Sequence, residues 1–391
     1  AVFDSSVTAA IAGTADVSAT GDVVVEALNG AGGVVIAGNL AGSGKSAFGG
    51  SISALTVIDR TEASVDARAA VSAREEDPTA PTGKTDIFGD VRRGVLVQAS
   101  SAQDFVNVAA GGALSAKASG QGSITATVLD QTVTARIAGT DTAAPGGLVR
   151  SNADVAVLAK GDFQLTGIAA AVAIGKVGVG IGADAGILTR TVDAHIGENA
   201  SVSAASNVTV RALGETRVTA VSASGSGGKS VGVGVTAGVG VMNLTTLASV
   251  QKDATVFARN NVLVTAEDNT TADQISGSLA AGGTAGVGVA AGIGVLTKTT
   301  EAFIAEGATV TALATGDAIS AYSGQFRPRL SFGAADISGT DINIENHGLA
   351  TGDRVLYESD RPVAALTPLP DQPYLSVVRV DKDTIRLKRA P

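Results

Sequence analysis

The sequence predicts an all-β fold: a β-solenoid of repeats about 54 residues long, followed by a small all-β module. Three observations support this prediction. Fifty of the 391 residues are glycine and tryptophan is absent, so a core must be filled with Val, Ile, Leu and Ala. Thr-rich strands that end in Ala-x-Ile or Ala-x-Val recur along the chain. None of the nine prolines lies in these repeats, as expected of strands whose N–H groups pair in a ladder.

The recurring strand end sets the length of the repeat. Its last residues are Ile11, Val65, Ile137, Ile196, Val250 and Ile304, at intervals of 54, 72, 59, 54 and 54. The two long intervals predict insertions, at about 74–93 and 139–152. Because extra residues inside a strand would break its register, the insertions are expected to leave the solenoid at corners.

Within a repeat, apolar residues follow each other every six positions. Ile196, Val202 and Val208 are one such series. This spacing fits short strands separated by tight corners, as on the faces of a triangular β-helix. Three coils of about 18 residues per repeat, right-handed as long exported solenoids usually are, would give a rod of roughly 80–90 Å at about 4.8 Å per rung. Residues that suit sharp corners recur as Gly21-Asp22, Gly161-Asp162, Ser206-Asn207, Asn260-Asn261 and Gly316-Asp317.

The composition changes near residue 322 and predicts two domains, 1–322 and 323–391. All three tyrosines lie at or beyond Tyr322, where the text changes to alternating strands such as DRVLYE and YLSVVRV. The net charge of −9 belongs to the repeats, because residues 323–391 carry nine basic and nine acidic residues. This segment is therefore expected to form a compact all-β module.

Charge and cysteine content narrow the classes of partner. An acidic chain poor in aromatic residues is a poor match for nucleic acid. The absence of cysteine excludes disulfides and Cys-ligated metals, and fits an exported protein. Residues 275–297 are uncharged, but they alternate Gly with Val as a strand does, so membrane insertion is not expected. The chain begins without Met or a signal peptide, and we interpret it as a segment of a longer protein.

Several stretches carry a family resemblance. The string VGVGVAAGIGVLTKTTEAFIAEGATVTA at 287–314, echoed from residues 177 and 231, resembles the repeats of leukotoxin-like filamentous adhesins in giant Gram-negative bacterial surface proteins. The text HGLATGDRVLY, followed by VVRVDKDTIRLK, resembles a small β module of the same proteins. The resemblance implies export by a type V or similar route, display at the cell surface, and roles in adhesion, biofilm or filament formation.

Patterns that suggest chemistry have simpler interpretations. The string GNLAGSGKS at 38–46 lacks the first glycine of a phosphate-binding loop, and its Gly-Lys-Ser recurs at Gly228, which indicates a turn of the repeat. Glu62, Asp193 and Glu301 share one repeat position and are expected on a solvated face. Lys298 and Arg190 share another repeat position, close to these acids, and are predicted to form surface ion pairs with them. His195 and His347 are the only histidines, too few for a His-based metal site. No catalytic residue, metal or cofactor is predicted.

The leading functional hypothesis is a non-enzymatic structural and adhesive stalk. Its partners would be adjoining repeats of the same protein, neighbouring rods, or a surface protein or glycan. Alternatives are a self-assembling filament subunit, a polysaccharide-active β-helix enzyme and a pore-forming region. The insertion at 74–93 is the candidate partner-binding loop, because loops on rigid scaffolds often carry recognition. Its candidate contact residues are Glu75, Glu76, Asp77, Lys84, Phe88, Arg92 and Arg93.

Overall fold

The computed structural model is all-β, and none of the residues that it describes lies in a helix. The described residues are 1–74, 83–140, 146–313, 319–325, 337–338, 341–344, 354–356, 374–381 and 383–389. They divide into two compact units, Ala1–Gln325 and Phe326–Pro391, three residues beyond the predicted boundary.

The first unit is built from two parallel sheets. With strands numbered in chain order, the larger sheet contains β1 (Val2–Ile11), β3 (Val23–Ser43), β4 (Ser46–Val65), β8 (Gly94–Ser115), β9 (Ala118–Ile137), β11 (Asp154–Ile196), β13 (Val208–Val250), β15 (Val262–Gly282), β16 (Ala285–Ile304) and β18 (Ile319–Gln325). The smaller contains β2 (Asp16–Ala19), β5 (Ala70–Ala73), β10 (Leu148–Ser151), β12 (Ser201–Ala204), β14 (Thr255–Ala258) and β17 (Thr309–Ala312).

Pairing between these strands follows the 54-residue period. Val208 pairs with Val262 in the larger sheet, and Thr255 pairs with Thr309 in the smaller one. Each repeat therefore advances the chain by one strand in both sheets. The expectation of three 18-residue coils per repeat is therefore wrong. Six strands share one ladder, in the order β1-β4-β9-β11-β13-β16. At about 4.8 Å from strand to strand they span about 24 Å, rather than the predicted 80–90 Å.

Each repeat doubles back on itself. The first half of β11 pairs with β8 and the second half with β9, with a register irregularity between Gly175 and Val177. The two halves face one another, because a Cβ on Gly178 would lie 2.7 Å from the carbonyl oxygen of Ala173. We call these facing layers, residues 160–191 in this repeat and their counterparts in the others, the arm. The short strands and the ends of the long strands beside them form the base.

The base holds a dry aliphatic core. Val208 is fully buried, as predicted, among Val, Ala and Ile side chains from all three sides of the base. The six-residue spacing describes one passage around it, since Ile196 ends a long strand, Val202 lies in a short strand and Val208 begins the next long strand. Burial of each such Val or Ile contributes roughly 1.5–3 kcal/mol.

The corners of the base agree only in part with the predictions. Ser206-Asn207 and Asn260-Asn261 lie between a short and a long strand, as expected. Gly161-Asp162 is inside β11, so that assignment is wrong, and Gly316-Asp317 lies outside the described residues. A second corner recurs every 54 residues with left-handed backbone, at Asn199 and Asp253 (φ 56° each) and Gly307 (φ 75°).

The two insertions leave the base at corners. Within 74–93, β6 (Lys84–Thr85) and β7 (Val91–Arg92) form an antiparallel hairpin. The second insertion is shorter than predicted, because Leu148–Ser151 is a regular strand of the smaller sheet. Ile137 pairs with Ile196, 59 positions ahead, and Leu148 pairs with Ser201, 53 positions ahead, so the chain gains six residues between them.

The second unit contains a five-stranded antiparallel sheet in the order β19-β20-β23-β22-β21. Its strands are β19 (Ile337–Ser338), β20 (Asp341–Asn343), β21 (Arg354–Leu356), β22 (Tyr374–Arg379) and β23 (Thr384–Arg389). Ile342, Val377 and Ile385 form its small core. The chain thus contains an all-β module near its C-terminus.

The uncharged stretch 275–297 falls in β15 and β16 of the first unit. Within the described chain, a search for helices able to cross a membrane finds none.

Candidate functional site

The part of the predicted partner-binding loop that the structure describes packs against the long strands of the first unit. Lys84 pairs with Glu26 at 3.0 Å, and Arg92 donates to Asp86 at 2.9 Å. Phe88 packs beside Leu96 and Leu158.

Other contacts hold the same hairpin. The Arg211 guanidinium lies 4.0 Å from the centre of the Phe88 ring, and Arg93 also has an interaction partner. Glu75, Glu76 and Asp77 lie outside the described residues. Recognition by this loop stays a prediction, but several of its proposed contact residues hold the hairpin against the sheet.

The recurrent acids are less exposed than predicted. Glu301 is exposed, whereas Glu62 accepts two hydrogen bonds from Arg136, at 2.6 and 2.9 Å. Asp193 is half-buried, with its Oδ2 2.9 Å from His195 Nδ1. Each of the two half-buried acids therefore has a neighbouring basic side chain as partner.

The expectation of surface ion pairs at Arg190 and Lys298 is wrong for Arg190, which is fully buried inside the arm. Its guanidinium donates to Thr216 and to Asp268, whose side chain is also fully buried. Lys298 adds an ion pair with Asp268 at 2.9 Å. A charged layer therefore lies between the facing sheets.

Glycine makes room for this layer. Arg190 belongs to a column of mutually paired residues, Asp59, Gln131, Arg190, Leu244 and Lys298. The facing column is Asn29, Ser101, Gly161, Gly214 and Asp268. A Cβ on Gly214 would meet the guanidinium of Arg190, so the absence of a side chain there lets Arg190 reach Asp268 two strands away.

Two buried carboxylates of the arm differ in their surroundings. Burial raises the pKa of Asp268, but Arg190 and hydrogen bonds from Thr246, Lys298 and Thr270 outweigh burial, so its pKa is lowered. Asp184 has only a hydrogen bond from Thr125, and burial raises its pKa. Because the Arg190–Asp268 pair is closed to solvent, its arrangement suits packing specificity rather than catalysis.

The tip of the arm carries a lysine in four successive repeats. These residues are Lys45, Lys117, Lys176 and Lys229, and all four are exposed. Backbone bonds run from Lys117 N to Lys45 O at 2.9 Å and from Val177 N to Lys117 O at 2.8 Å, so the tips stack strand on strand. We call this set the lysine column.

The sequence pattern indicates only part of this column. The sequence indicates that Lys45 and Lys229 are equivalent and predicts a turn at both. The chain bends at Lys45, between β3 and β4, whereas Lys229 lies inside the continuous strand β13. Lys117 and Lys176 are not apparent from their surroundings, because SAKA and IGKV each share only one residue besides lysine with SGKS. The missing signal was the spacing: the four lysines are 72, 59 and 53 residues apart, nearly the intervals of the Ala-x-Ile/Val strand end.

The outer faces of the arm are apolar. Exposed side chains there include Ile36, Val172, Ile174, Ile187, Val239 and Ile293. Charged residues are scarce on the same stretches: Lys176 and the buried Asp184 are the only ones in 166–189, and Lys229 is the only one in 219–246. A shallow depression on one face is lined by Gly38, Leu40, Gly112, Ala170 and Val172.

The described residues contain no cluster of three or more His, Asp or Glu side chains that could hold a metal ion. Comparisons of the chain with protein-family models, with curated proteins and with solved structures found no match.

Proposed function

We propose that this chain is a segment of a β-solenoid stalk in a large, exported bacterial surface protein, and that it acts in adhesion rather than catalysis. The observation that carries the proposal is the parallel pairing of residues one repeat apart in both sheets. Every interior strand is hydrogen-bonded to the strands of the preceding and following repeats. Such a stack extends by adding repeats and has no preferred length, which suits a stalk.

The end strands support continuation of the stack. Among the described strands, β3 at one end pairs only with β8 and exposes Ile36 and Leu40. At the other end β16 pairs only with β13 and exposes Val287 and Ile293. Exposed apolar edge strands are a template for further pairing. In the proposed stalk, adjoining repeats of the same kind cover them.

The same edges favour a second candidate, a filament whose subunits associate end to end. The two candidates differ in how assembly depends on concentration. Light scattering of the chain from low to high micromolar concentration should report a constant mass for a stalk segment and a growing mass for a filament subunit.

Export and surface display rest on the cysteine-free composition and on the resemblance of the repeats to filamentous adhesins. The non-enzymatic proposal is supported by the closed Arg190–Asp268 layer and by the pairing of Glu62 and Asp193 with neighbouring bases. These ionisable groups already have partners within the fold.

Single-molecule stretching tests the stalk. A chain pulled from residues 1 and 325 should unravel repeat by repeat, and each event should release about 54 residues, roughly 190 Å of contour length. Steps of about 18 residues, or one event for the whole unit, would contradict the proposal. For adhesion, beads coated with the chain should resist detachment from bacterial cells under flow, and beads coated with heat-unfolded chain should not.

A further inference from the structure

We propose that the lysine column binds a linear anionic polysaccharide that carries one carboxylate on each sugar. The inference goes beyond the stalk, because it assigns a ligand class to Lys45, Lys117, Lys176 and Lys229, and it holds whether or not the chain bears load. Polygalacturonate is the representative ligand.

The column is a regular array of positive charge. Lys117 stacks on Lys45 through a backbone bond, and Val177, next to Lys176, stacks on Lys117. Val231, two residues after Lys229, pairs with Val177. Successive lysines are therefore one strand apart, about 4.8 Å at the backbone. In the fifth tip Gly283 stands at the position of Lys229, so the array has four members.

In the part of the chain that the structure describes, the four ammonium groups have no acidic partner. Other lysines do form ion pairs, as Lys84 does with Glu26 and Lys160 with Glu215. Among the described residues, no ion pair joins a lysine of the column to a carboxylate, and the nearest acid in sequence to Lys176, Asp184, is buried. Charges of one sign are thus concentrated at the tip of a chain whose net charge is −9.

The row of four unpaired lysines favours a polyuronate over other polyanions. A linear polyuronate carries one carboxylate on every sugar, so several lysines of the column can engage different sugars of the same polysaccharide chain at the same time. Lysine serves such a ligand as a flexible point charge. The exposed hydroxyl groups of Ser43 and Ser46 lie beside Lys45, where sugar hydroxyl groups can hydrogen-bond to them.

Nucleic acid is a weaker fit. Single-strand binding sites combine positive charge with aromatic side chains on which bases stack. In the outer arm of the four repeats that carry the column, residues 34–55, 106–127, 166–189 and 219–246, the exposed Phe48 is the single aromatic residue, so successive bases would have no series of rings to stack on.

The test uses the whole chain and two variants of equal net charge. The column variant is K45Q/K117Q/K176Q/K229Q. The control variant is R68Q/R217Q/K252Q/R259Q, which removes four exposed positive charges elsewhere in the first unit. Binding to fluorescent oligogalacturonate is measured by anisotropy at low salt, beside the fully methyl-esterified oligomer and single-stranded DNA of matched length.

We expect the column variant to lose at least about tenfold in affinity for oligogalacturonate while the control variant stays within about twofold of wild type. The methyl-esterified oligomer should not bind. Equal losses in both variants, or equal binding of DNA, would show non-specific charge attraction and overturn the proposal.

Thermal melting shows whether the column variant is as stably folded as wild type. Without ligand, the column variant should melt no lower than wild type, because it relieves repulsion between like charges. Oligogalacturonate should raise the melting temperature of wild type and of the control variant, but not of the column variant. A column variant that melts normally and still binds would also overturn the proposal, without bearing on the stalk.

Discussion

The base and the arm use the same alternation of residues in opposite ways. In the base, large aliphatic side chains such as Val208 point inward, and charged side chains such as Glu62 lie on the outside in ion pairs. In the outer arm, small or polar residues such as Gly182 point inward, while aliphatic ones such as Val239 point outward. A hydrophobic face of a strand is therefore not always its buried face.

The distance between the two layers explains the difference. In the base the sheets surround a space that Val, Ala and Ile must fill. Toward the tip the layers converge, and at the closest approaches glycine leaves the room: Cβ atoms on Gly180 and Gly182 would lie 2.7 and 2.6 Å from the carbonyl oxygens of Gly225 and Ala223. Apolar residues there are left for the outer surface, where they can contact other molecules.

The largest expected effect contrasts one substitution in the two regions. Val208→Asp should unfold the base, with a loss of more than about 4 kcal/mol, because an unpaired carboxylate would enter the dry core. Val239→Asp, on the arm surface with 42% of the residue exposed, should cost less than about 1 kcal/mol. Urea denaturation of both variants measures the difference, and similar losses would mean that the inversion is wrong.

The second-largest loss of stability is expected when the buried ion pair of the arm is broken. Asp268→Asn leaves Arg190 without its charged partner and should cost about 3–5 kcal/mol at pH 7. Because the folded-state pKa of Asp268 is lowered, its contribution is present above about pH 4 and is lost as the pH falls through that folded-state pKa. Denaturation of wild type and variant from pH 7 to pH 3 should show the difference shrinking only at the acid end.

The converging layers predict a smaller effect at glycine. Gly182→Ala should cost about 1–3 kcal/mol, because the new methyl group forces the two layers apart. Gly186→Ala, four residues along the same strand, meets no atom within 4 Å and provides the matched control. If thermal melts show equal shifts for the two variants, the layers are not in close contact.

The smallest effect is a gain in stability. Asp184 is buried with a raised pKa, so its charged form destabilises the fold at neutral pH, and wild-type stability should rise as the pH falls from that raised pKa toward about 4. Asp184→Asn should add about 1 kcal/mol at pH 7 and nothing near pH 4. A loss of stability at pH 7 would show that Asp184 has a partner that neutralises its charge.

The sequence predicted the base better than the arm. Ala-x-Ile/Val and Val208 were placed correctly because large apolar residues alternate there around one dry core. Arg190 was placed on the surface because burial of a charge costs free energy, and the sequence does not show that Gly214 and Asp268 provide room and a partner for it.

The coil length was wrong for a related reason. The spacing from Ile196 to Val202 to Val208 describes three sides of a single turn, and the intervening arm has the same strand alternation on both sides of the point where it doubles back. No local signal in the sequence marks where β11 doubles back, because Gly175 and Lys176 remain extended. Only the strand register fixes the length of a turn.

A pair of spin labels tests that register most directly, since the chain has no native cysteine. Labels at Thr255→Cys and Thr309→Cys should show strong dipolar broadening, because these exposed residues pair on adjacent strands about 4.8 Å apart. Labels at Thr255→Cys and Asp273→Cys, 18 positions apart, should show none, because Asp273 lies far along the arm. Broadening in the second pair and not in the first would contradict a turn of 54 residues.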